Sequence, residues 1–272
     1  MTISDSLGYR FADRADFSVP DEDLLAGLAG RASCRDYADR PVDPVLVRTL
    51  CALALCSPSK SDLQQRDIVI LDDAPQRNRI TGLFPDGDWT RNAPCFLVFC
   101  GNNRRQRQLH QQHNIAFAND HLDAFFNAAV DAAIALGTFV TAAESVGLGC
   151  CPVSAVRNHC EEVSEILGLP DHVFPVAGMG IGWPAKPGVI SPRLPLSATL
   201  HHNRFSDTKV LSDIESYDGY RQQHQPYDRQ LHADRFGVSA SYGWSQEKAR
   251  QYSVPQRVDF GRFVRNKGFS LV

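Results

Sequence analysis

The chain has 272 residues, of which 43% are hydrophobic and 22% charged, as in folded globular proteins and unlike disordered or fibrous ones. A net charge of −3 excludes the broad basic field that nucleic-acid-binding domains carry. The first residues, MTISDSLGYR, lack the apolar segment of a secretory signal. The charge-free run Ala132 to Ala143 is too short to cross a bilayer. We therefore expect a soluble, cytoplasmic protein whose eight cysteines are thiols.

Helices and strands alternate along the predicted chain. The predicted elements are a helix from Pro44 through Ala54, strands at 68–71 and 96–99, a long helix at 119–146, a helix at 157–167 and a strand at 173–181. Asp43 is a suitable cap for the first of these helices, and Pro44 suits its first position. This alternation indicates layers of helix on sheet.

The long helix at 119–146 is apolar around most of its circumference. Such a helix is predicted to be buried on almost every side. Its centre is rich in alanine and glycine, which lets a second helix approach closely.

The glycines at 178, 180 and 182 resemble part of a dinucleotide-binding fingerprint. That motif must open a helix, whereas here the third glycine comes one residue early and Trp183-Pro184 follows. We interpret these glycines as points of close backbone approach in a strand.

A metal site is an alternative that His110, His113 and His121 leave open. The first two would share a helix face, which is compatible with a metal-dependent hydrolase. Neither H-E-x-x-H nor C-x-x-C is present, however, and the surrounding sequence is very polar. We therefore predict no metal-binding residues, and we interpret the cysteines as small apolar packing residues.

Two short segments carry more chemical information. Arg31, Ser33 and Arg35 bring two guanidiniums and a hydroxyl together, which suits a phosphate dianion. Alternatively, Arg35 and Asp36 form a surface ion pair. The segment 57–64, SPSKSDLQ, offers hydroxyls, an ammonium and a carboxamide that can hydrogen-bond a polar heteroaromatic ring. Its simpler interpretation is a polar connecting loop.

Taken in order, five motifs resemble the nitroreductase family of FMN-dependent oxidoreductases. They are R-x-S-x-R-x-Y at 31–37, S-x-S-x-S-x-L-Q at 57–64, AAESVGLG at 142–149, the stretch from Leu169-Pro170 to Gly182-Trp183-Pro184, and PRLP at 192–195. The tail from Trp244 to Phe269 is similar to that of the larger subgroup of NADPH-dependent nitroreductases and flavin reductases.

The resemblance implies an α+β fold, a nitroreductase-like α/β/α sandwich with a mixed central sheet and long buried central helices. It also implies an intertwined homodimer with one FMN in each of two pockets at the subunit boundary. We expect an N-terminal extension at 1–30, an FMN-binding core at 31–200 and a C-terminal arm at 201–272 that packs on the core and the partner subunit.

The residues that the resemblance assigns to FMN binding are Arg31, Ser33, Arg35, Ser59, Lys60, Ser61, Gln64, Pro152, Val153, Ser154, Ala155, Ser191 and Arg193. The arginines and Ser33 would hold the phosphate. Residues 59–61 would lie beside the flavin on the partner chain's side of the pocket. Residues 152–155 would present backbone amides to the ring edge, where such amides or a nearby cation stabilise the reduced flavin's negative charge.

The chain departs from the subgroup at several of these positions. Ser154 and Ala155 stand where glycines are usual, and Ser191 stands where a lysine is usual. Lys186 or Arg157 could compensate for that lysine. The usual basic position before Trp244 is missing as well, which leaves NADH or NADPH preference open.

The implied activity is reduction of nitroaromatics, quinones or free flavin at the expense of NAD(P)H, by a ping-pong hydride transfer. Because the cofactor carries this chemistry, we expect no catalytic residue from the protein itself. The alternative is a flavin-binding protein of the same fold that lacks NAD(P)H reductase activity. A small-molecule oxidant is the expected partner besides the second subunit, with no nucleic acid and no membrane.

Overall fold

The structure, a computed structural model, describes residues 2–12, 23–84 and 88–272. Contacts group the chain into two units. The first unit consists of Met1–Ala32 and Val189–Gln256, and the second of Ser33–Gly188 and Arg257–Val272. The expected division at residues 30 and 200 stays a prediction, and its segment 13–22 lies outside the described residues.

The described helices are α1 (Ile3–Phe11), α2 (Asp23–Gly30), α3 (Pro44–Leu55), α4 (Ala74–Thr81), α5 (Asp88–Arg91), α6 (Arg104–Gln112), α7 (Leu122–Ser145), α8 (Cys160–Ile166), α9 (Leu196–Thr199), α10 (Val210–His224), α11 (Ala233–Phe236), α12 (Trp244–Gln251) and α13 (Phe260–Asn266). The described strands are β1 (Arg66–Leu71), β2 (Cys95–Asn102), β3 (Gly149–Val153) and β4 (Val173–Gly182). Single 3-10 turns cover Lys60–Asp62 and Ser154–Arg157.

The second unit contains a four-stranded sheet in the order β1-β2-β4-β3. All three strand pairs are antiparallel. The expectation of a mixed sheet is therefore wrong for the described residues, because no parallel pair occurs among them. The three strands predicted or implied at 68–71, 96–99 and 173–181 are confirmed as β1, β2 and β4.

Helices cover both faces of this sheet. Alternate residues of β2 point to opposite sides: Leu97 and Phe99 pack with α3 and α7, whereas Phe96 and Val98 face the α4 and α8 side. Strand β2 is consequently buried along its whole length. The predicted α/β/α sandwich is confirmed for this unit.

Helix α3 forms as the sequence predicts. The Asp43 carboxylate caps it by accepting a hydrogen bond from the Val45 amide at 2.8 Å, and Pro44 occupies the first helical position. Its buried residues, which include Val47 and Leu50, lie against α7 and the sheet.

Helix α7 is the longest helix and lies across the sheet. Ala128, Ala135 and Phe139 are fully buried on its inner side, whereas Phe126 is 60% exposed and Leu122 50% exposed. Burial on almost every side is therefore wrong for the single chain. By length and composition this helix could also cross a membrane, but its packing in the core of the sandwich is that of a core helix.

Two further predictions concern helix α8 and the glycines of β4. The helix predicted from 157 begins at Cys160, because residues 154–157 form a separate 3-10 turn.

The glycines at 178, 180 and 182 lie inside β4, so rejection of a dinucleotide fingerprint is confirmed. A Cβ atom at Gly178 would lie 2.6 Å from Cζ of Phe96, which explains why only glycine fits there.

The first unit is built from helices. Helices α1 and α2 contact each other, and α10 contacts α12. The Tyr217 ring meets the Trp244 ring edge-on at 5.6 Å, and the Tyr217 hydroxyl donates to the Pro192 carbonyl at 3.1 Å. These contacts fix the segment around residue 192 within this unit.

Candidate functional site

Three of the predicted FMN-binding residues line one cavity in the first unit. Arg31, Ser191 and Arg193 contribute to a cavity of about 880 Å³. The rest of its lining is mostly apolar and includes Leu28 and Leu194. Cationic groups at an otherwise apolar wall suit an anionic group attached to a larger organic molecule.

Arg10 ties the two segments that carry these arginines to each other. Its buried guanidinium donates to the carbonyl oxygens of Ala29 at 3.0 Å, Arg31 at 2.6 Å and Ser191 at 3.4 Å. Nothing in the sequence indicates this role, because the acceptors are backbone atoms whose approach depends on the tertiary fold. Arg10 therefore fixes the backbone at both Arg31 and Ser191.

Ser33 and Arg35 lie on an extended segment beside β3 in the second unit. The Cys34 amide donates to the Cys150 carbonyl at 3.0 Å, and the Tyr37 hydroxyl donates to the Cys34 carbonyl at 2.9 Å. Cys34 is half-buried, whereas Ser33 and Arg35 are exposed, as alternate residues of an extended chain should be. Burial raises the pKa of the Cys34 thiol, so this cysteine is a packing residue rather than a nucleophile.

The Arg35 guanidinium is available to an external anion. It lies 5.7 Å from the centre of the Trp89 ring and forms no ion pair with a carboxylate in the described part of the chain. The alternative ion pair with Asp36 does not form, because Asp36 pairs with Lys186 at 2.7 Å. The same ion pair occupies the ammonium group of Lys186, which was one of the two residues considered as a replacement for the lysine missing at position 191.

The other replacement, Arg157, is also engaged elsewhere. Its Nη1 donates to the backbone carbonyl of Val176. Arg193 has only weak local contacts, with the carbonyls of Ser191 at 3.4 Å and Pro192 at 3.3 Å. Arg193 thus keeps hydrogen-bonding capacity for a phosphate, and neither Lys186 nor Arg157 stands in for the lysine that Ser191 replaces.

Residues 152–155 form the end of β3 and the 3-10 turn that follows it. Pro152 and Val153 belong to the strand, and Ser154 and Ala155 begin the turn. Nη2 of Arg257 donates to the Ser154 hydroxyl at 3.1 Å. Sequence reasoning missed Arg257, since it lies about a hundred residues away in the chain. This contact brings a cation to the segment expected to meet the flavin ring edge.

Residues 59–65 form a strained turn between α3 and β1. Ser61, Asp62 and Gln64 have φ angles of 48°, 55° and 51°, in the left-handed region that non-glycine residues seldom adopt. Each such residue costs about 1–3 kcal/mol and persists only where its surroundings fix it. Lys60, Ser61 and Gln64 are exposed and therefore accessible to a ligand, although Nε2 of Gln64 donates to Oδ1 of Asp62 at 3.0 Å.

Asp131 of α7 holds both ends of this turn. It is fully buried and accepts hydrogen bonds from the Lys60 amide at 3.0 Å and the Gln65 amide at 2.9 Å. The sequence offers a weak signal for it, namely a lone acidic residue in the middle of an apolar helix.

The 59–65 turn and the 152–155 segment occupy opposite edges of the sheet. The turn leads into β1, one edge strand, and residues 152–155 end β3, the other edge strand. With strands roughly 4.8 Å apart, three spacings separate these edges by about 14 Å. Placement of residues 59–61 on the partner chain's side of a pocket stays a prediction.

The histidines considered for a metal site do not assemble one. Within residues 2–12, 23–84 and 88–272, no three His, Cys, Asp or Glu side chains are grouped so that they could hold a metal ion. Nδ1 of His110 lies 3.2 Å from the Ile115 carbonyl and 3.1 Å from that of Ala116. None of the eight cysteines forms a disulfide bond.

The residues present fit FMN as a ligand. The exposed guanidiniums of Arg35 and Arg193 have no carboxylate partner among the described residues, which is the donor chemistry that a phosphate requires. Hydroxyl and amide donors at 59–64 and 152–155 match the polar edges of a flavin.

Comparison with known proteins identifies the chain's relatives. The model of the nitroreductase family matches residues 28–183, and that of the nitroreductase family C-terminal domain matches residues 191–272. An FMN reductase [NAD(P)H] of Bacillus subtilis is 31% identical over 252 residues, which cover 92% of this chain and 98% of that protein.

Solved structures agree with this assignment. The hypothetical oxidoreductase YcnD from Bacillus subtilis superposes with a TM-score of 0.83 at 30% identity, over 92% of this chain and 99% of that one. The NADPH:FMN oxidoreductase from Vibrio harveyi complexed with NAD+ gives a TM-score of 0.79 at 26% identity, over 91% of this chain and 98% of that one. With more than half of its length matched by the family model, this chain belongs to the nitroreductase family.

Proposed function

We propose that this chain is an FMN-dependent oxidoreductase of the nitroreductase and flavin reductase type. It uses NAD(P)H to reduce nitroaromatics, quinones or free flavin by a ping-pong hydride transfer, and it works as a cytoplasmic homodimer. The observation that carries this proposal is the set of arginines at the expected phosphate positions, on a chain whose 31% identical relative is an FMN reductase.

Four residues bind the phosphate of FMN in this proposal. Arg31, Arg35 and Arg193 donate charge-assisted hydrogen bonds, and Ser33 adds a hydroxyl. Their support is the cavity that Arg31 and Arg193 share and the absence of a described carboxylate beside Arg35 or Arg193. With Ser191 in place of a lysine, phosphate binding depends more heavily on these arginines.

The ring is held by the two other segments. Ser59, Lys60, Ser61 and Gln64 offer hydrogen bonds from the turn before β1. Residues 153–155 offer backbone amides, since Pro152 has none to donate, and Arg257 adds a positive charge through its contact with Ser154. Positive charge and amide donors at this edge favour the reduced, more negative flavin.

When bound, FMN supplies the redox chemistry, in which it accepts a hydride from the nicotinamide and passes electrons to the oxidant. The protein's own groups bind and orient the reactants, and the proposal requires no acid, base or nucleophile from the chain.

The homodimer is supported by the open face of α7. Leu122, Phe126 and Ile134 are 50%, 60% and 37% exposed, and they follow one another at intervals of four and eight residues on one side of the helix. An apolar stripe of this kind on a soluble protein marks an interaction surface. A second copy of α7, with its small central residues, is the occupant proposed here.

Steady-state kinetics test the mechanism. Initial rates are measured while NADPH is varied at several fixed concentrations of a nitroaromatic, then of a quinone and then of free FMN. Parallel double-reciprocal lines are expected, since a ping-pong enzyme releases its first product before the second substrate binds. Intersecting lines would contradict the ping-pong scheme. FMN uptake without NAD(P)H oxidation would instead support the flavin-binding protein that lacks reductase activity.

A further inference from the structure

We propose that Asp131 is a positioning residue of the flavin site, which holds residues 59–65 in the conformation that contacts FMN. This inference rests on the proposed function, because the proposed function assigns Ser59, Lys60 and Ser61 to the flavin. It adds a residue on the central helix that lies outside the expected binding motifs.

One carboxylate closes both ends of the turn. Oδ1 of Asp131 accepts from the Lys60 amide at 3.0 Å, and Oδ2 accepts from the Gln65 amide at 2.9 Å. These two amides flank the four residues 61–64. Asp131 is fully buried, so its hydrogen bonds do not compete with solvent.

The turn needs such a clamp because its own backbone disfavours it. Ser61, Asp62 and Gln64 all have left-handed φ angles although none of them is glycine. Within the turn, the Leu63 amide donates to the Lys60 carbonyl at 2.9 Å, and the Gln64 amide to the Ser59 hydroxyl at 3.2 Å. Strained conformations of this kind recur at ligand-binding sites and require support from the surrounding structure.

Neighbouring side chains hold the flanks of the turn and two of its carbonyls, whereas Asp131 accepts from the amides at its ends. Within the turn, Nη2 of Arg105 donates to the Gln64 carbonyl at 2.6 Å, and Nε2 of Gln106 donates to the Leu63 carbonyl at 3.4 Å. The Arg66 guanidinium donates to the carbonyls of Leu55 at 2.8 Å and Ser57 at 3.0 Å, before the turn. The Asn103 side chain donates to Oε1 of Gln65 at 2.7 Å, after it.

The chemistry at residue 131 explains why an acid stands in an apolar helix. Two amide donors converge on it, and a carboxylate accepts at both oxygens. Asparagine has the same shape, but its amide nitrogen is a donor and would face one of the two N–H groups. The inner side of α7 is otherwise apolar, with alanines at 124, 128, 132 and 135. An apolar residue at 131 would pack there but would leave both amides without a partner.

The first experiment compares Asp131→Asn with Asp123→Asn, an exposed acid on the same helix. FMN binding to the full-length apoprotein is measured by quenching of flavin fluorescence, together with the visible circular dichroism of bound FMN. Asp131→Asn should raise the Kd for FMN at least about tenfold, as loss of one charge-assisted hydrogen bond predicts. It should also change the dichroism of the bound flavin, whereas Asp123→Asn should change neither.

Hydrogen exchange of the apoprotein provides a readout that does not depend on FMN. Peptides covering 59–65 should exchange faster in Asp131→Asn than in wild type, while those covering β2 and β4 should be unchanged. A wild-type protein that takes up no FMN would overturn the proposed function. Wild-type binding of FMN with unchanged binding and exchange in Asp131→Asn would overturn the role of Asp131 alone.

A second pair of variants keeps the test decisive if Asp131→Asn does not fold. Lys60→Pro removes the amide that bonds Oδ1 of Asp131, and Lys60→Ala removes the side chain but keeps that amide. Proline suits this position, because Lys60 is the first residue of the 3-10 turn and Ser59 before it is extended. Lys60→Pro should weaken FMN binding at least about tenfold beyond Lys60→Ala. Equal affinities for the two variants would contradict the proposal.

Discussion

Arg257 donates a hydrogen bond to the side chain of Ser154 at 3.1 Å, across about a hundred residues of sequence. Ser154 stands where the larger nitroreductase subgroup usually has glycine, so this chain's departure from the family pattern creates an acceptor for a guanidinium. Ser154 thereby links the segment proposed to meet the flavin ring edge to a positive charge.

Replacement of Arg257 by glutamine should slow reduction of the flavin by NAD(P)H at least about tenfold, because a charge that favours the reduced flavin is lost. Stopped-flow reduction of the FMN-loaded protein measures this rate. Ser154→Gly, which keeps the arginine but removes its hydroxyl partner, should have a smaller effect in the same direction. Equal reduction rates in wild type and Arg257→Gln would show that this arginine has no part in the site.

Arg35→Ala and Arg193→Ala should each weaken FMN binding by about 1.5–3 kcal/mol, since each removes a charge-assisted contact with the phosphate. Isothermal titration of the apoproteins with FMN checks this prediction. Arg79→Ala is the matched control, because Arg79 is an exposed arginine on α4. Full FMN occupancy in both variants after purification would contradict the phosphate assignment.

Phe126→Asp should convert the proposed homodimer to a monomer, because it places a charge in the apolar stripe on α7. Light scattering coupled to size-exclusion chromatography gives the mass of each species. Ile115→Asp serves as control, since Ile115 is 61% exposed, close to the 60% of Phe126, but lies outside the stripe. A wild-type protein that is monomeric at micromolar concentration would contradict the proposed assembly.

Phe139→Ala should destabilise the protein by about 3–5 kcal/mol, because it opens a cavity in the core between α7 and the sheet. Phe139 is fully buried and meets Phe99 edge-on at a ring separation of 5.7 Å. Denaturant unfolding followed by fluorescence measures the loss. Phe205→Ala, at a phenylalanine that is 74% exposed, should change the free energy of unfolding little.

The sequence predicted those elements whose signals are local. Asp43 and Pro44 mark the start of α3, and the apolar runs of β1, β2 and β4 read directly as strands. The first residue of α8 was harder to predict, because the helical pattern already begins before it. Residues Ser154–Arg157, which precede the helix, fold as a separate 3-10 turn. The buried fraction of α7 was overestimated. An apolar helix face indicates that something packs against it, but it does not show whether that partner belongs to the same chain.

The candidate site was predictable where its residues form compact motifs and unpredictable where they act through the backbone. Arg31, Ser33 and Arg35 stand within five positions, and their chemistry suggests a phosphate clamp, which stays a prediction. Arg10 and Asp131 bind backbone carbonyls and amides of distant segments, and residue type does not identify such partners, although Asp131 stands out as a lone acid in the middle of an apolar helix. Strain at Ser61 and Asp62 was equally invisible, since nothing in those residues announces a left-handed backbone.

The measurement that tests the central claim most directly is the visible absorption spectrum of FMN-loaded protein, recorded anaerobically during addition of NADH and then, separately, of NADPH. The account predicts a flavin band that bleaches on addition of at least one nucleotide and returns when a quinone is added. A protein that remains colourless after incubation with FMN, or a bound flavin that neither nucleotide bleaches, would contradict it.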